Sequence, residues 1–181
     1  METRKYVVSG SGSYGELPET GREAKHSDDS VDRYHMQRSC NGVHIGPERY
    51  SYDIIKETGE FTINLVTEKL AFATDYCGVK SGRDVDKFKE MNLHACDGVN
   101  VSCPAIEESP VNVECKVKQV VELGSHHMFI AEVVGVQISD EYMDKTGKFN
   151  LNSTGLVAYS HGEYFALGDK LGKFGYSVRK K

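Results

Sequence analysis

Several familiar signatures are missing from this sequence of 181 residues. No apolar run approaches the roughly 20 residues that a membrane helix needs. The opening text, METRKYVVSGSGS, lacks the apolar stretch of a signal peptide. The cysteines (Cys40, Cys77, Cys96, Cys103 and Cys115) form an odd set without CxxC spacing. They therefore read as reduced thiols, not as a disulfide framework or a zinc site. The net charge is −5 with both signs mixed, so no basic footprint points to nucleic acid. GSGSYGEL is glycine-rich without a following GK[ST], and reads as a flexible leader, not a phosphate loop. No Ser-His-Asp arrangement is evident, and His127 and His161 lack a third partner at metal spacing. The expectation is an acidic, cytoplasmic protein of one domain, with neither membrane nor nucleic acid as a partner.

What is present divides at Pro47. Before it the text is polar and aperiodic, with no Phe at all and no Ile until Ile45. Asp28, Asp29 and Asp32 read as a solvated acidic loop, with a divalent cation as the alternative. After Pro47, ERYSYDIIKETG reads as a helix with Tyr52, Ile54 and Ile55 near one face and a stop at Gly59. EFTINLVT (60–67) reads as a strand. KLAFATDYCG reads as a short helix closed by Gly78, and SGRDVDKFKEMN as another with Asp84 as its N-cap. Residues 109–123 alternate apolar and polar, 126–139 form a more buried run, and the step between them is a hairpin turn. Residues 140–152 read as a polar loop and 155–168 as two short strands. The fold class is mainly β or α+β, of barrel type with a few small helices.

Three segments, FTINLVTEKLAFATDYCGVKSGRDVDKFKEMNL, SPVNVECKVKQVVELGSHHMFIAEVVGV and AYSHGEYFALGDKLGKFGYSV, strongly resemble in this order the flavin reductase-like proteins. That family has the FMN-binding split-barrel fold and includes flavoredoxins and archaeal ferric reductases. The likeness runs from Pro47 onward, and GVKSGRDVDKF and LGSHHMFIAEV are its most specific parts. It implies FMN as cofactor, NAD(P)H as electron donor, and free flavin, ferric iron or a protein as acceptor. A flavoredoxin-like carrier without its own NAD(P)H turnover is the alternative. Members are typically homodimers with FMN near the interface.

Members of the family normally begin with barrel strands that residues 1–46 do not match in frame. Read one nucleotide out of frame, these residues do permit such text. Met1 and Glu2 force a shifted Trp codon, and Met36 and Gln37 force a shifted Cys. Residues 21–46 permit AGKPNIVMTVWTGTICSDPAMVYIS. The expectation is that residues 1–46 are out-of-frame translation and 47–181 the split-barrel domain. The other reading is a polar extension particular to this lineage. If the frame is lost, an impaired product is a further functional alternative.

The resemblance also implies site residues. Asn64, Ala73, Thr74, Gly78, Ser81, Arg83, Asp84, Lys87 and Phe88 match positions beside the cofactor. Arg83, Lys87 and the backbone amides opening the second short helix suit an anion. Asp84 as a helix cap, Lys87 as a surface lysine and Phe88 as core remain open. His126 matches the family's turn histidine, implicated in nicotinamide or substrate binding and the candidate catalytic group; an exposed turn histidine is the alternative. Tyr164 either packs near the flavin or belongs to the core.

Overall fold

A computed structural model of the chain describes residues 5–8 and 40–179. Its elements in chain order are β1 (Lys5–Val8), β2 (Cys40–Ile45), α1 (Tyr50–Thr58), β3 (Glu60–Asn64), α2 (Ala71–Val79), α3 (Lys87–Glu90), β4 (Ala95–Cys96), β5 (Ala105–Ile106), β6 (Val111–Leu123), β7 (His126–Ser139), β8 (Val157–Ser160) and β9 (Glu163–Ala166). The hairpin of β6 and β7 is the spine. β3 pairs with β6, and both β1 and β2 pair with the far edge of β7, all antiparallel. β4–β5 and β8–β9 form two small separate pairs. The acidic cluster at Asp28, Asp29 and Asp32 lies outside the described residues.

The spine follows the alternation read from the sequence, with two interruptions. Glu114 and Cys115 oppose Gly135 and Val133, so Val134 is an extra residue on β7; Val117 and Gln119 oppose Ala131 and Ile130, so Lys118 is an extra residue on β6. A bulge shifts which side chains face inward and bends the ribbon. The inward set on β6 accordingly runs Val111, Val113, Cys115, Val117 and then Val120. Phe129, Ala131 and Ile138 of β7 meet it, with Phe61 of β3 and Tyr52 of α1 completing the centre of the core.

Three local expectations are corrected. Tyr52 is buried and Ile55 packs on the core, but Ile54 is 44% exposed. At about 100° per residue Ile54 lies some 200° from Tyr52, on the opposite face. The second short helix does not open at Asp84. The Ser81 carbonyl accepts from both Asp84 N and Val85 N in a turn, and the helix starts at Lys87 with Asp86 as cap, its Oδ1 accepting from Lys89 N at 3.2 Å. The 140–152 segment is not merely a polar loop: Phe149 from within it is a buried member of the core.

The segment before Pro47 also contributes more than its composition suggests. β2 aligns Val43 with Phe129 and Ile45 with His127, and both Val43 and Ile45 pack against the core. Six residues of modest β-propensity suffice here because β7 offers a complete row of backbone partners.

Candidate functional site

Helix α2 is held at both ends. At its start the Leu70 carbonyl accepts from Thr74 Oγ1 at 2.9 Å; near its end Lys87 Nζ donates to the Cys77 carbonyl at 2.5 Å. A cation on the last carbonyls also suits the helix dipole. Yet none of its side chains is buried, although Ala71, Phe72, Ala73, Tyr76, Cys77 and Val79 are apolar. Phe72 and Val79 are 78% and 75% exposed. Apolar side chains as open as Phe72 and Val79 on a helix that is only half-buried elsewhere are normally covered by something else.

Thr74 and Gly78 lie four residues apart, so they share one side of α2, with Ala73 adjoining. A Cβ placed on Gly78 would meet nothing within 4 Å, so the space above this turn is open. The chain then turns at Ser81, whose Oγ accepts from Arg83 N at 3.2 Å. Arg83 Nη1 donates to the Glu48 carbonyl at 3.1 Å, and its guanidinium lies 5.4 Å from the Tyr50 ring centroid. Arg83, Asp84, Lys87 and Phe88, with Tyr50, line an open pocket of about 620 Å³. Gly82 permits the close packing there, since a Cβ on it would sit 3.0 Å from Tyr50 Cδ1.

The structure thus brings Arg83, Asp84, Lys87 and Phe88 into one pocket, leaves Ser81 in the turn before it, and sets Ala73, Thr74 and Gly78 on the helix leading to it. Asn64 is used differently. Its Oδ1 accepts from Ile106 N at 2.9 Å, fixing β5 beside the end of β3. Tyr164 reaches α2 through Asp75. Partial desolvation, then the charge and hydrogen bond of the Asp75 carboxylate, raise its phenol above the ordinary value. Its ring also lies 5.0 Å from that of Tyr159.

His126 stands apart from this group. It opens β7 at the hairpin turn, exposed, 3.1 Å from Ser125 Oγ through Nδ1. Because side chains alternate along a strand, His126 and His127 face opposite sides. His127 faces α1: its Nδ1 is 2.8 Å from the phenol oxygen of the buried Tyr52, which Lys56 Nζ approaches at 3.4 Å. Sequence reading missed this contact and the part played by Tyr50. Tyr52 and His127 are 75 positions apart, and no local pattern connects them.

A second polar cluster supports the fold. Glu114 is fully buried and accepts from Val99 N (2.7 Å), Asn100 N (2.9 Å), Asn100 Nδ2 (2.8 Å) and Gln137 Nε2 (2.7 Å). Burial alone would raise its carboxyl, but these hydrogen bonds outweigh it and hold Glu114 below the usual carboxylate range. Glu60 secures the same loop by accepting from Ser102 N and Oγ at 2.7 and 2.8 Å. Among the described residues no group of three or more His, Cys, Asp or Glu side chains is placed to hold a metal ion.

Residues 39–168 match the family model described as the flavin reductase like domain. The chain belongs to that family. Flavoredoxin of Desulfovibrio vulgaris (Miyazaki F) is similar in structure, with a TM-score of 0.73 and 28% identity over 80% of this chain and 78% of its own. Flavoredoxin from Methanosarcina acetivorans follows with 0.68 and 27% over 77% and 76%. An uncharacterised relative from Archaeoglobus fulgidus is 34% identical over 68% of this chain and 69% of its own. The split-barrel class expected from the sequence holds, and so does the flavin-binding oxidoreductase family. The family match starts at residue 39, eight positions before Pro47, and so includes β2.

The residues present fit a flavin. An open volume beside Arg83 and Lys87, a helix face narrowed by Ala73 and Gly78, and apolar side chains without cover give an anion, a planar ring and a linking chain suitable surroundings.

Proposed function

We infer that this chain binds FMN along α2 and the 81–88 loop and works as a flavin reductase. NAD(P)H is the electron donor, and free flavin, ferric iron or a protein is the acceptor. When bound, FMN supplies the hydride and electron chemistry. The chain supplies binding, orientation and shielding from water. The single observation that carries the reading is α2, an apolar helix without one buried side chain, leading directly to a pocket with Arg83 at its wall.

The geometry supports individual roles. Arg83, already oriented by Glu48 and Tyr50, offers further guanidinium donors to a phosphate. Ser81 shapes the turn and presents its hydroxyl beside it. Lys87 adds positive charge while fixing the end of α2, and Phe88 gives the pocket an apolar wall. Asp84 stands on the exposed rim. Thr74, Ala73 and Gly78 form the surface for the ring, with Tyr164 approaching from β9. Asn64 acts by placing β5. His126, open to solvent at the hairpin turn, is the candidate for contact with the nicotinamide. The protein is a cytoplasmic homodimer in this reading, its second copy covering apolar surface around Phe72 and Val79.

The test is titration of the full chain with FMN, followed by flavin absorbance and fluorescence quenching, then steady-state NAD(P)H oxidation. Saturable binding with turnover supports the reading, whereas absence of flavin binding by folded protein removes it. The 28% identity to Desulfovibrio flavoredoxin favours a second reading, an FMN electron carrier. Saturable FMN binding without NAD(P)H oxidation would select the carrier.

A further inference from the structure

The segment after β9 is the least covered part of the described chain. Leu171 is 91% exposed, Phe174 106% and Val178 81%. Such values mean that these apolar side chains touch almost nothing of their own molecule. Their charge also departs from the remainder. Residues 169–179 carry Lys170, Lys173 and Arg179 against the single acid Asp169, in a chain whose net charge is −5. An apolar and basic segment on an acidic protein suits an acidic, apolar-floored groove.

The chain has such a groove. Between the start of α2 and the turn after α3, a cavity of about 400 Å³ is floored by Leu70, Phe72, Met91 and Leu93, with two carboxylates, Glu90 and Glu108, against one lysine, Lys69, along its lining. Phe72, 78% exposed, is a groove residue left open by its own chain. The local backbone is fixed at both margins. Leu93 N donates to the Phe88 carbonyl at 2.8 Å, and Glu108 accepts from His94 N and Nδ1. The groove is therefore a shaped surface, with one carboxylate, Glu108, already shared with His94.

We propose that residues 169–179 of one copy dock in this groove of a second copy, with Leu171 and Phe174 over the apolar floor and Lys170 and Lys173 toward Glu90 and Glu108. This rests on the homodimer reading above and specifies how the two copies hold each other. It also makes each cofactor site depend on the partner, because Phe72 and Ala73 line the groove and belong to the helix that carries Thr74 and Gly78.

The experiment uses the full chain at several concentrations in sedimentation equilibrium. Leu171→Ser with Phe174→Ser should raise the dimer dissociation constant at least about tenfold and leave the circular dichroism unchanged, since neither side chain is covered in its own copy. Lys173→Glu or Glu90→Lys should each weaken the dimer about threefold, and their combination should recover most of the loss. A photo-crosslinker at position 174, in a mixture of light and ¹⁵N-labelled copies, should yield mixed-isotope adducts at Phe72 or Met91. An unchanged dimer in the Leu171/Phe174 variant overturns the docked arm but leaves the homodimer intact. A wild-type chain that stays monomeric overturns both. Adducts confined to single-isotope chains, or variant-sensitive binding to phosphatidylserine vesicles with no change in association, overturn the proposal in favour of an internal fold-back or a lipid surface.

Discussion

At the scale of single residues, the carboxylate of Glu114 carries the most consequence. Four donors converge on it in a site closed to water, and a Cβ on Gly135 would lie 2.8 Å from its Oε2 and 2.4 Å from Asn100 Nδ2. Glu114→Ala should therefore cost on the order of 3 kcal/mol, since it strands buried donors as well as removing an acceptor. Urea unfolding measures this, and hydrogen exchange should show the Val99 and Asn100 amides losing protection first. The pH dependence has a definite sign. Glu114 and Glu60 both have lowered folded pKa values, so their contribution is complete above the unfolded carboxylate range and is lost as pH falls through the folded values. His94 runs the other way. The hydrogen bond and charge of Glu108 raise it, so its contribution is full below the unfolded histidine value and lost as pH rises through the folded one. The unfolding midpoint should consequently fall on the acid side in wild type but less so in Glu114→Gln, already weakened at neutral pH. Cys115 offers an independent check. Burial pushes its thiol up to about 12, so iodoacetamide at neutral pH should spare it in the folded chain while reacting with thiols that are only half-buried.

At the scale of elements, α2 separates structural from functional roles unusually well. Gly78 sits inside a helix with open space above it, so Gly78→Leu has no steric cost in the free chain and should gain up to about 1 kcal/mol from helix propensity. If the ring of a flavin lies on this face, the same change should weaken FMN binding at least about tenfold. Equal FMN affinity in the two proteins would remove Gly78 from the site. The hairpin histidines divide in a similar way. His127→Phe loses the hydrogen bond to Tyr52 and should cost about 1 kcal/mol. His126→Ala should leave stability unchanged and raise the KM for NAD(P)H without altering FMN affinity. These divisions also show what local sequence pattern can convey. The spine was legible because 109–123 alternates and 126–139 is a long apolar run, and Gly59 was legible as a helix stop because glycine readily adopts the positive φ found there. The bulges at Val134 and Lys118 were not, because an extra residue changes facing without changing composition. Nor was the burial of Glu114 and Gln137, which depends on hydrogen bonds to the loop at Asp97, Val99 and Asn100, or that of Asn112, which donates to the Ile106 carbonyl of β5.

At the scale of the whole molecule, the resemblance carried the family and the split barrel, while the grouping of 82–88 around Tyr50 depended on a contact between distant segments. What remains is how the first 46 residues came to differ from the rest. β2 occupies the far edge of β7 and places Val43 and Ile45 against the core, and the family match that begins at residue 39 takes in this strand as it stands. The shifted reading permits MVYIS across almost the same positions, which would give that edge a more strongly β-forming sequence. A single nucleotide inserted or deleted near Gly46 would join the two readings without disturbing the residues from Pro47 onward. The coding DNA decides this directly. A shift of that region should yield continuous family-like text including the forced Trp and Cys, and any interruption by a stop codon ends the idea. Protein chemistry supplies the second half of the test. A chimaera with its first 46 residues replaced by the shifted text should bind FMN at least about tenfold more tightly than the present chain, because the restored strands bring polar groups to the phosphate and ring. It should also resist aggregation better, since strands with matched side chains protect the β7 edge. Equal affinity in both proteins would mean that α2 and the 81–88 loop hold the flavin without help from the N-terminal text, and the polar segment would then stand as an extension in its own right.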